Sequence, residues 1–386
     1  ANGGLAKTEN FTADEPTWEY PVLPVPGTSN IHAVWVNPDN SDIIVAGMSA
    51  MIAYSTDGGT TWTNSTTPTF GGLVYEIVQS RLDDNTLYAA IANDDLTGTD
   101  SGAVLMSDDL GVTWTDLGFT DAMPAASLSI ASDDTLLVGV GGDVSATGVY
   151  YYNGSSWSSL GGNPAGEQVT SVLIHPDTDT TFFATTAQEG GGNGTNALWK
   201  STDSGGSWTK ITAGLEDAMN LDTLTAQTTT SPITLYVSGQ DIGLNGMVYK
   251  SSDGGETWGE YYEGLKQESF YAMFFDGLIA GNDRGLYDIK SRATLHLREK
   301  NKTRVSISLR DAATTKKLEH KKITVYRKQS GNWKKIDSIR TNTKGKAVMS
   351  VQVANKTKLK AIWKPTGKDR REYAKATSEV LRFGGV

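Results

Sequence analysis

The residues best suited to chemistry in this sequence are carboxylates in short polar segments between apolar runs. They are Asp94, Asp95 and Asp100 beside Asn93, then Asp143, Glu189, Glu216, Asp217, Asp241, Glu260, Glu263 and Asp283. Two such groups flanking a glycosidic bond suffice for hydrolysis, provided an apolar, aromatic-lined cleft raises the pKa of the one that acts as acid. Tyr261 and Tyr262 are the aromatic residues nearest to that requirement. The same oxygens suit calcium, a hard ion that takes carboxylate and carbonyl ligands. Asp94, Asp95 and Asp100 are the candidate calcium ligands, in a segment that lacks the full EF-hand spacing. Solvated acidic loops are the competing reading, and no other cofactor is expected.

Other chemistries lack their residues. The chain has no cysteine, which excludes disulfides, thiolate nucleophiles and cysteine-ligated metals. His32, His175, His296 and His320 stand singly and read as strand residues. The run Gly190 to Gly194 lacks the Lys-Ser/Thr ending of a phosphate loop and reads as a flexible loop. No stretch of about 18 apolar residues occurs, so no membrane-spanning helix is expected. The sequence begins with Ala, consistent with a mature form after removal of a signal segment, and export is the expectation. Sequons at Asn10, Asn64, Asn153, Asn193, Asn301 and Asn355 would fit glycosylation of an exported protein.

The elements that must position the acidic loops are announced by a repeat. The octad Ser-x-Asp-x-Gly-x-Thr-Trp occurs at Ser55, Asp57, Gly59 and Trp62, at Ser107, Asp109, Gly111 and Trp114, and at Ser251, Asp253, Gly255 and Trp258. A copy with Ser for Thr runs through Ser201, Asp203, Gly205 and Trp208, and a degenerate one, Asn153 to Trp157, has lost the Asp. With Trp18, the tryptophans at 18, 62, 114, 157, 208 and 258 mark six units. A period near 50 residues with four short strands per unit is the signature of propeller blades. The expected innermost strands are 31–36, 74–80, 126–131, 169–175, 221–226 and 271–275, and residues 17–21 read as the outer strand that closes the ring. In the octad the Asp is expected to accept turn N–H groups, the Gly to adopt φ > 0 and the Trp to pack between sheets, a structural role without catalysis.

These octads resemble the Asp-boxes, or BNR repeats, of sialidases, xyloglucanases, sortilin-type receptors and photosystem assembly factors. Ile174-His175-Pro176-Asp177 followed by Phe182-Phe183-Ala184 is similar to the first two strands of xyloglucanase and sortilin blades. The resemblance implies a six-bladed propeller over 17–290, with the boxes on the face away from any active site. It carries no function through the box residues. A sialidase needs three arginines to hold its substrate carboxylate, and only Arg81 and Arg284 lie in this region, which excludes that activity. Xyloglucanases use a cleft between two propellers, and one is expected here. Beyond residue 291 the pattern Ile323 to Arg327, Trp333 to Ile336 and Gly345 to Ala347 is similar to immunoglobulin-like modules of bacterial and archaeal surface proteins.

The fold class is therefore all-β: a tail over 1–16, a six-bladed β-propeller over 17–290 and a basic immunoglobulin-like β-sandwich over 291–386. Charge divides at the same place. Residues 1–290 hold 8 Lys/Arg against 37 Asp/Glu (8 − 37 = −29), and residues 291–386 hold 26 against 7 (26 − 7 = +19). The basic part suits an anionic cell-surface polymer, lipid head groups or an acidic protein surface, including the propeller of a second copy, which would give head-to-tail self-association. Nucleic acid is a poor partner, because a neighbouring domain of −29 repels phosphate. The expected function is a secreted, non-catalytic structural or binding protein of the cell exterior. The alternative is a glycan-binding or polysaccharide-hydrolysing propeller.

Overall fold

In the computed structural model every regular element among the described residues is a β-strand. The described residues are 5–8, 17–21, 31–92, 102–119, 124–141, 148–162, 164, 168–187, 197–215, 218–228, 231–241, 246–261, 272–274, 279–282, 285–288, 293–301, 304–311, 317–329, 331–351, 357–364, 376–378 and 380–382. The chain forms two compact units, Ala1–Ile211 with Asn220–Leu224, and Thr212–Met219 with Thr225–Val386.

The first unit contains four antiparallel sheets, each with its four strands in chain order. They are β1 (Ile31–Val36), β2 (Ile44–Met48), β3 (Met51–Ser55) and β4 (Thr63–Asn64); β5 (Leu73–Gln79), β6 (Leu87–Ala92), β7 (Ala103–Ser107) and β8 (Thr115–Asp116); β9 (Ala125–Ile130), β10 (Leu136–Val140), β11 (Gly148–Tyr152) and β12 (Trp157–Ser159); and β13 (Gln168–Ile174), β14 (Phe182–Ala187), β15 (Ala197–Ser201) and β16 (Thr209–Ile211). Strands β2, β6 and β10 are buried along their whole length, which is why their sequences are continuous apolar runs without alternation. The core lies between successive sheets: Val45 and Ile52 pack with Val74, Leu105 and Trp114, and Leu137 and Val149 with Val169 and Phe182. Sheets pressed this closely leave no room for some side chains. A Cβ on Gly47 or on Gly139 would sit 2.5 Å from Val74 or Val169 of the following sheet.

Successive sheets are also fastened by hydrogen bonds. After β4 the chain runs on to the next octad, where Thr66 N donates to Val112 O and Trp114 N to Thr66 O, both at 2.9 Å. At the N-terminus Lys7 and Glu19 exchange two backbone bonds of 2.9 and 2.8 Å, so among the described residues the segment 17–21 pairs with Lys7.

The second unit contains the sheet of β17 (Ala218–Gln227), β18 (Thr234–Asp241), β19 (Gly246–Ser251) and β20 (Gly259–Glu260), though residues 220–224 of β17 belong to the first unit. A three-stranded sheet of β21 (Ala272–Phe274), β22 (Ile279–Asn282) and β23 (Gly285–Asp288) follows. Next come β24 (Ala293–Asn301), β25 (Arg304–Asp311), β26 (Lys322–Gln329), β27 (Asn332–Arg340), β28 (Lys346–Ser350), β29 (Lys358–Trp363), β30 (Ala376–Thr377) and β31 (Leu381–Arg382). They form two sheets, β24-β25-β28 and β27-β26-β29-β30 with β31 on β29. One core is shared by both: Leu297, Val305 and Ile307 from the first pack with Ile323, Val325, Leu359 and Trp363 from the second. Period-2 alternation in β26, buried at Ile323 and Val325, is the expected mark of a sheet with one covered face.

Candidate functional site

The octad turns carry the most regularly repeated carboxylates. Ser55 Oγ donates to Asp57 Oδ1 at 2.9 Å and accepts from Gly59 N at 2.8 Å. Thr61 N donates to Asp57 Oδ1 at 2.8 Å and Thr61 Oγ1 to Asp57 Oδ2 at 2.6 Å. Trp62 Nε1 donates to Gly59 O at 2.9 Å, locking the indole under the turn. The turns at Asp109, Asp203 and Asp253 repeat the carboxylate bonds. Hydrogen bonds from Ser207 hold the Asp203 carboxyl down at about 2, and those from Thr61 lower Asp57. At Asp109 and Asp253 burial opposes ionisation, but the bonds from Thr113 and Thr257 outweigh it. Carboxylates so committed are structural ties and poor proton donors at neutral pH. In the degenerate copy Asn153 Oδ1 accepts from Ser155 N and Ser156 N at 3.0 and 2.9 Å, so the turn survives loss of the charge.

A second set of polar groups lines the first strands of the sheets. Strands β5, β9 and β13 each carry a bulge near their start, between Val74 and Glu76, Ala125 and Ser127, and Val169 and Ser171. The side chain just past the bulge reaches the next sheet: Glu76 Oε2 accepts from Leu128 N at 2.7 Å, Ser127 Oγ from Val172 N at 3.1 Å, and Ser171 Oγ from Leu224 N at 3.1 Å. These bonds satisfy strand N–H groups that no fifth strand reaches. At Glu76 the device is an ionisable group; burial pushes it up to about 7, against the bonds from Leu128 and Ser127. Asp222, one residue before the equivalent position in β17, is raised to about 6 by burial. Among the described residues these are the two carboxyl groups with pKa values suited to proton transfer near neutrality.

Charge is segregated within each unit. In a four-stranded meander the first and third turns share one end of the sheet. In the first unit that end carries twelve aspartates: Asp39, Asp42 and Asp57; Asp83, Asp84, Asp108 and Asp109; Asp133 and Asp134; and Asp177, Asp179 and Asp203. Arg81 is the one Lys or Arg within these turns. The turns of adjacent sheets are linked, since Arg81 N donates to Asp134 Oδ1 at 2.7 Å and Ser132 to the Asp179 carboxylate. In the second unit, the face of β26, β27 and β29 turned away from the core presents Lys322, Lys328, Lys335, Arg340, Lys358, Lys360 and Lys364. Lys322 stands opposite Arg340, and Tyr326 between Lys335 and Lys360. Lys360 lies 4.6 Å from the centre of the Trp333 ring, a cation-π contact. Part of this face is a concavity of about 390 Å³ bordered by Lys321, Lys322, Arg340 and Lys364 and floored by Thr324 and Tyr326.

Residues 151–376 match the Sortilin-Vps10 family, described as sortilin, neurotensin receptor 3, and this is more than half of the chain. The chain belongs to the Sortilin-Vps10 family. No curated protein matches it. Among solved structures, "YCF48 bound to D1 peptide" superposes with a TM-score of 0.50 at 17% identity, covering 70% of this chain and 82% of that one. An ancestral GH74 enzyme superposes with a TM-score of 0.54 at 12% identity, covering 95% of this chain and 57% of that one. The chain therefore spans just over half the length of that enzyme. Both likenesses establish the fold: the Sortilin-Vps10 chain contains a β-propeller of the BNR type.

Of the expected ligand-face residues in this Sortilin-Vps10 chain, Asp94, Asp95, Asp100, Asp143, Glu189 and Asp283 lie outside the described residues, and so does the whole candidate calcium segment; Asp241 is the last residue of β18. Among the described residues no group of three or more His, Asp or Glu side chains forms a metal site. Among the sequons, Asn64 and Asn153 are exposed, Asn301 ends β24, and Asn10, Asn193 and Asn355 lie outside the described residues. Glu76 and Asp222 were missed because each sits inside an apolar run read only as a strand. An acid within such a run, as in Val74-Tyr75-Glu76-Ile77, was the available signal.

Proposed function

We propose that this protein is a secreted or cell-surface binding protein without catalytic activity. A six-bladed propeller over 17–290 serves as its recognition module, and a basic immunoglobulin-like domain over 291–386 serves for attachment or assembly. The observation that carries this reading is the segregation of charge: twelve aspartates at one end of the first unit, and seven cations on one face of a sheet in the second. Large single-sign surfaces on rigid sheets steer and orient partners, whereas hydrolysis needs a pair of differently tuned carboxyls around a cleft. Sortilin, in the matched family, is by its description a receptor, and the YCF48 propeller holds a peptide; both roles are binding.

A polysaccharide-binding or hydrolysing propeller is the second reading, favoured by the raised Glu76 and Asp222 carboxyls and by the fold shared with a GH74 enzyme. One experiment separates them: reducing-sugar release from a panel of plant and microbial polysaccharides at pH 5 to 8. No release supports the binding protein. Release lost in Glu76→Gln or Asp222→Asn would establish the enzyme instead.

A further inference from the structure

We infer that the outward face of β26, β27 and β29 docks on the aspartate-bearing end of the first unit of a second copy of this chain, so that the molecules associate head to tail. The inference rests on the charge-segregated binding reading above and adds to it the surface and the partner.

The docking face is defined by register. Core residues Ile323, Val325, Leu359 and Trp363 point one way, so their strand neighbours Lys322, Thr324, Tyr326 and Lys360 point the other. Strand pairing then sets Arg340 opposite Lys322. Lys364 follows β29 and borders the concavity with them. Glu319 is the acid that lines this concavity, so the positive potential is little offset locally. Arg340 Nη1 is anchored to His320 O at 2.8 Å, which fixes the guanidinium at the rim. Thr324 and Tyr326 add hydroxyl groups that can donate to carboxylate oxygens.

The complementary surface needs several carboxylates spaced over two or three strands and held rigidly. The end of the first unit supplies them, because its turns are tied within each sheet (Gly58 N to Asp42 O, Leu110 N to Asn85 O, Ser204 N to Thr180 O) and between sheets through Asp134 and Asp179. Several of these acids, such as Asp84, Asp108 and Asp177, are exposed and have no role in the turn bonds described above. Area argues for the character of the contact. A face of three strands of about eight residues covers roughly 400 Å², half the ~800 Å² per partner of a stable interface. Such a contact is weak, reversible and dominated by charge. Because the two surfaces differ, each copy offers one of each kind, and pairing repeats from copy to copy.

Sedimentation velocity of the full chain over a hundredfold range of concentration, at about 20 mM and about 500 mM salt, tests the inference. The expected result is mass that grows with concentration at low salt, with association at least tenfold weaker at high salt. The triple variant Lys322→Glu/Arg340→Glu/Lys364→Glu and the triple variant Asp84→Lys/Asp108→Lys/Asp177→Lys should each be monomeric, with unchanged thermal melting. Mixing them should restore association, since each then carries the complement of the other. A wild type that is monomeric at every concentration overturns the inference, as does a lysine-face variant that associates like wild type. Retention of the wild type, but not of that variant, on an immobilised polyphosphate while it stays monomeric would assign the face to an anionic polymer. None of these outcomes bears on sugar release, so the non-catalytic reading stands or falls separately.

Discussion

Two glycines in the first unit have the same backbone angle and opposite surroundings, and together they isolate how much the contact between sheets contributes. Gly111, in the second octad, and Gly154, in the degenerate one, both have φ +88. A Cβ on Gly154 would meet nothing within 4 Å, whereas one on Gly111 would lie 2.7 Å from Cγ2 and 3.2 Å from Cγ1 of Val45 in the preceding sheet. Alanine at either position costs about 1 to 2 kcal/mol for the left-handed backbone. At Gly111 the forced displacement of fully buried Val45 adds about 1 to 3 kcal/mol of overpacking. Urea denaturation followed by tryptophan fluorescence should therefore place the midpoint of Gly111→Ala clearly below that of Gly154→Ala. Adding Val45→Ala to Gly111→Ala should recover part of the difference, giving a favourable coupling in a double-mutant cycle. Equal midpoints for the two single variants, or additive effects in the cycle, would refute the claim that octad glycines are required by the neighbouring sheet.

Glu76 predicts stability that falls with rising pH: its folded pKa of about 7 exceeds the ordinary 4.5, so the folded state binds the extra proton and the contribution is lost as pH passes from about 4.5 through about 7. The loss is at most about 3 kcal/mol, and Glu76→Gln should flatten the denaturation midpoint between pH 5 and 8; an unchanged slope would contradict it. Asp203 predicts the opposite sign, because its folded pKa of about 2 lies below the ordinary 3.8: its stabilisation is present above pH 4 and lost as pH falls through about 2. Asp203→Asn should leave a shallower acid transition in circular dichroism, and an identical transition would count against the turn bonds.

The sequence exposed the repeat because each octad is a local object: the Ser, Asp, Gly, Thr and Trp that bond one another lie within eight residues, so composition and spacing carry the whole motif. First strands were legible to within a few residues for the same reason, as in the expected 74–80 against Leu73–Gln79. What escaped was set by partners far along the chain. The bulges that aim Glu76, Ser127 and Ser171 at the next sheet depend on contacts about 50 residues away, and nothing in a window around Glu76 distinguishes a bonded acid from an exposed one. Expectation placed the acids of interest on the face opposite the boxes. Of the ligand-face candidates Asp94, Asp95, Asp100, Asp143, Glu189, Asp241 and Asp283, all but Asp241 lie outside the described residues, while the described residues gather twelve aspartates on the box end, since first and third turns of a meander share an end whatever their sequence. The cationic face after residue 320 was visible only as composition until register separated core from surface.

The bonds from Thr66 to Val112 and Trp114 also bear on synthesis. The strap that holds one sheet closes on the octad of the following one, so a nascent chain cannot finish a sheet when its own four strands have emerged. It must wait for about 50 further residues, several seconds at ordinary translation rates. During that interval the first sheet is unfastened, and its apolar strands are the stretch a chaperone would meet.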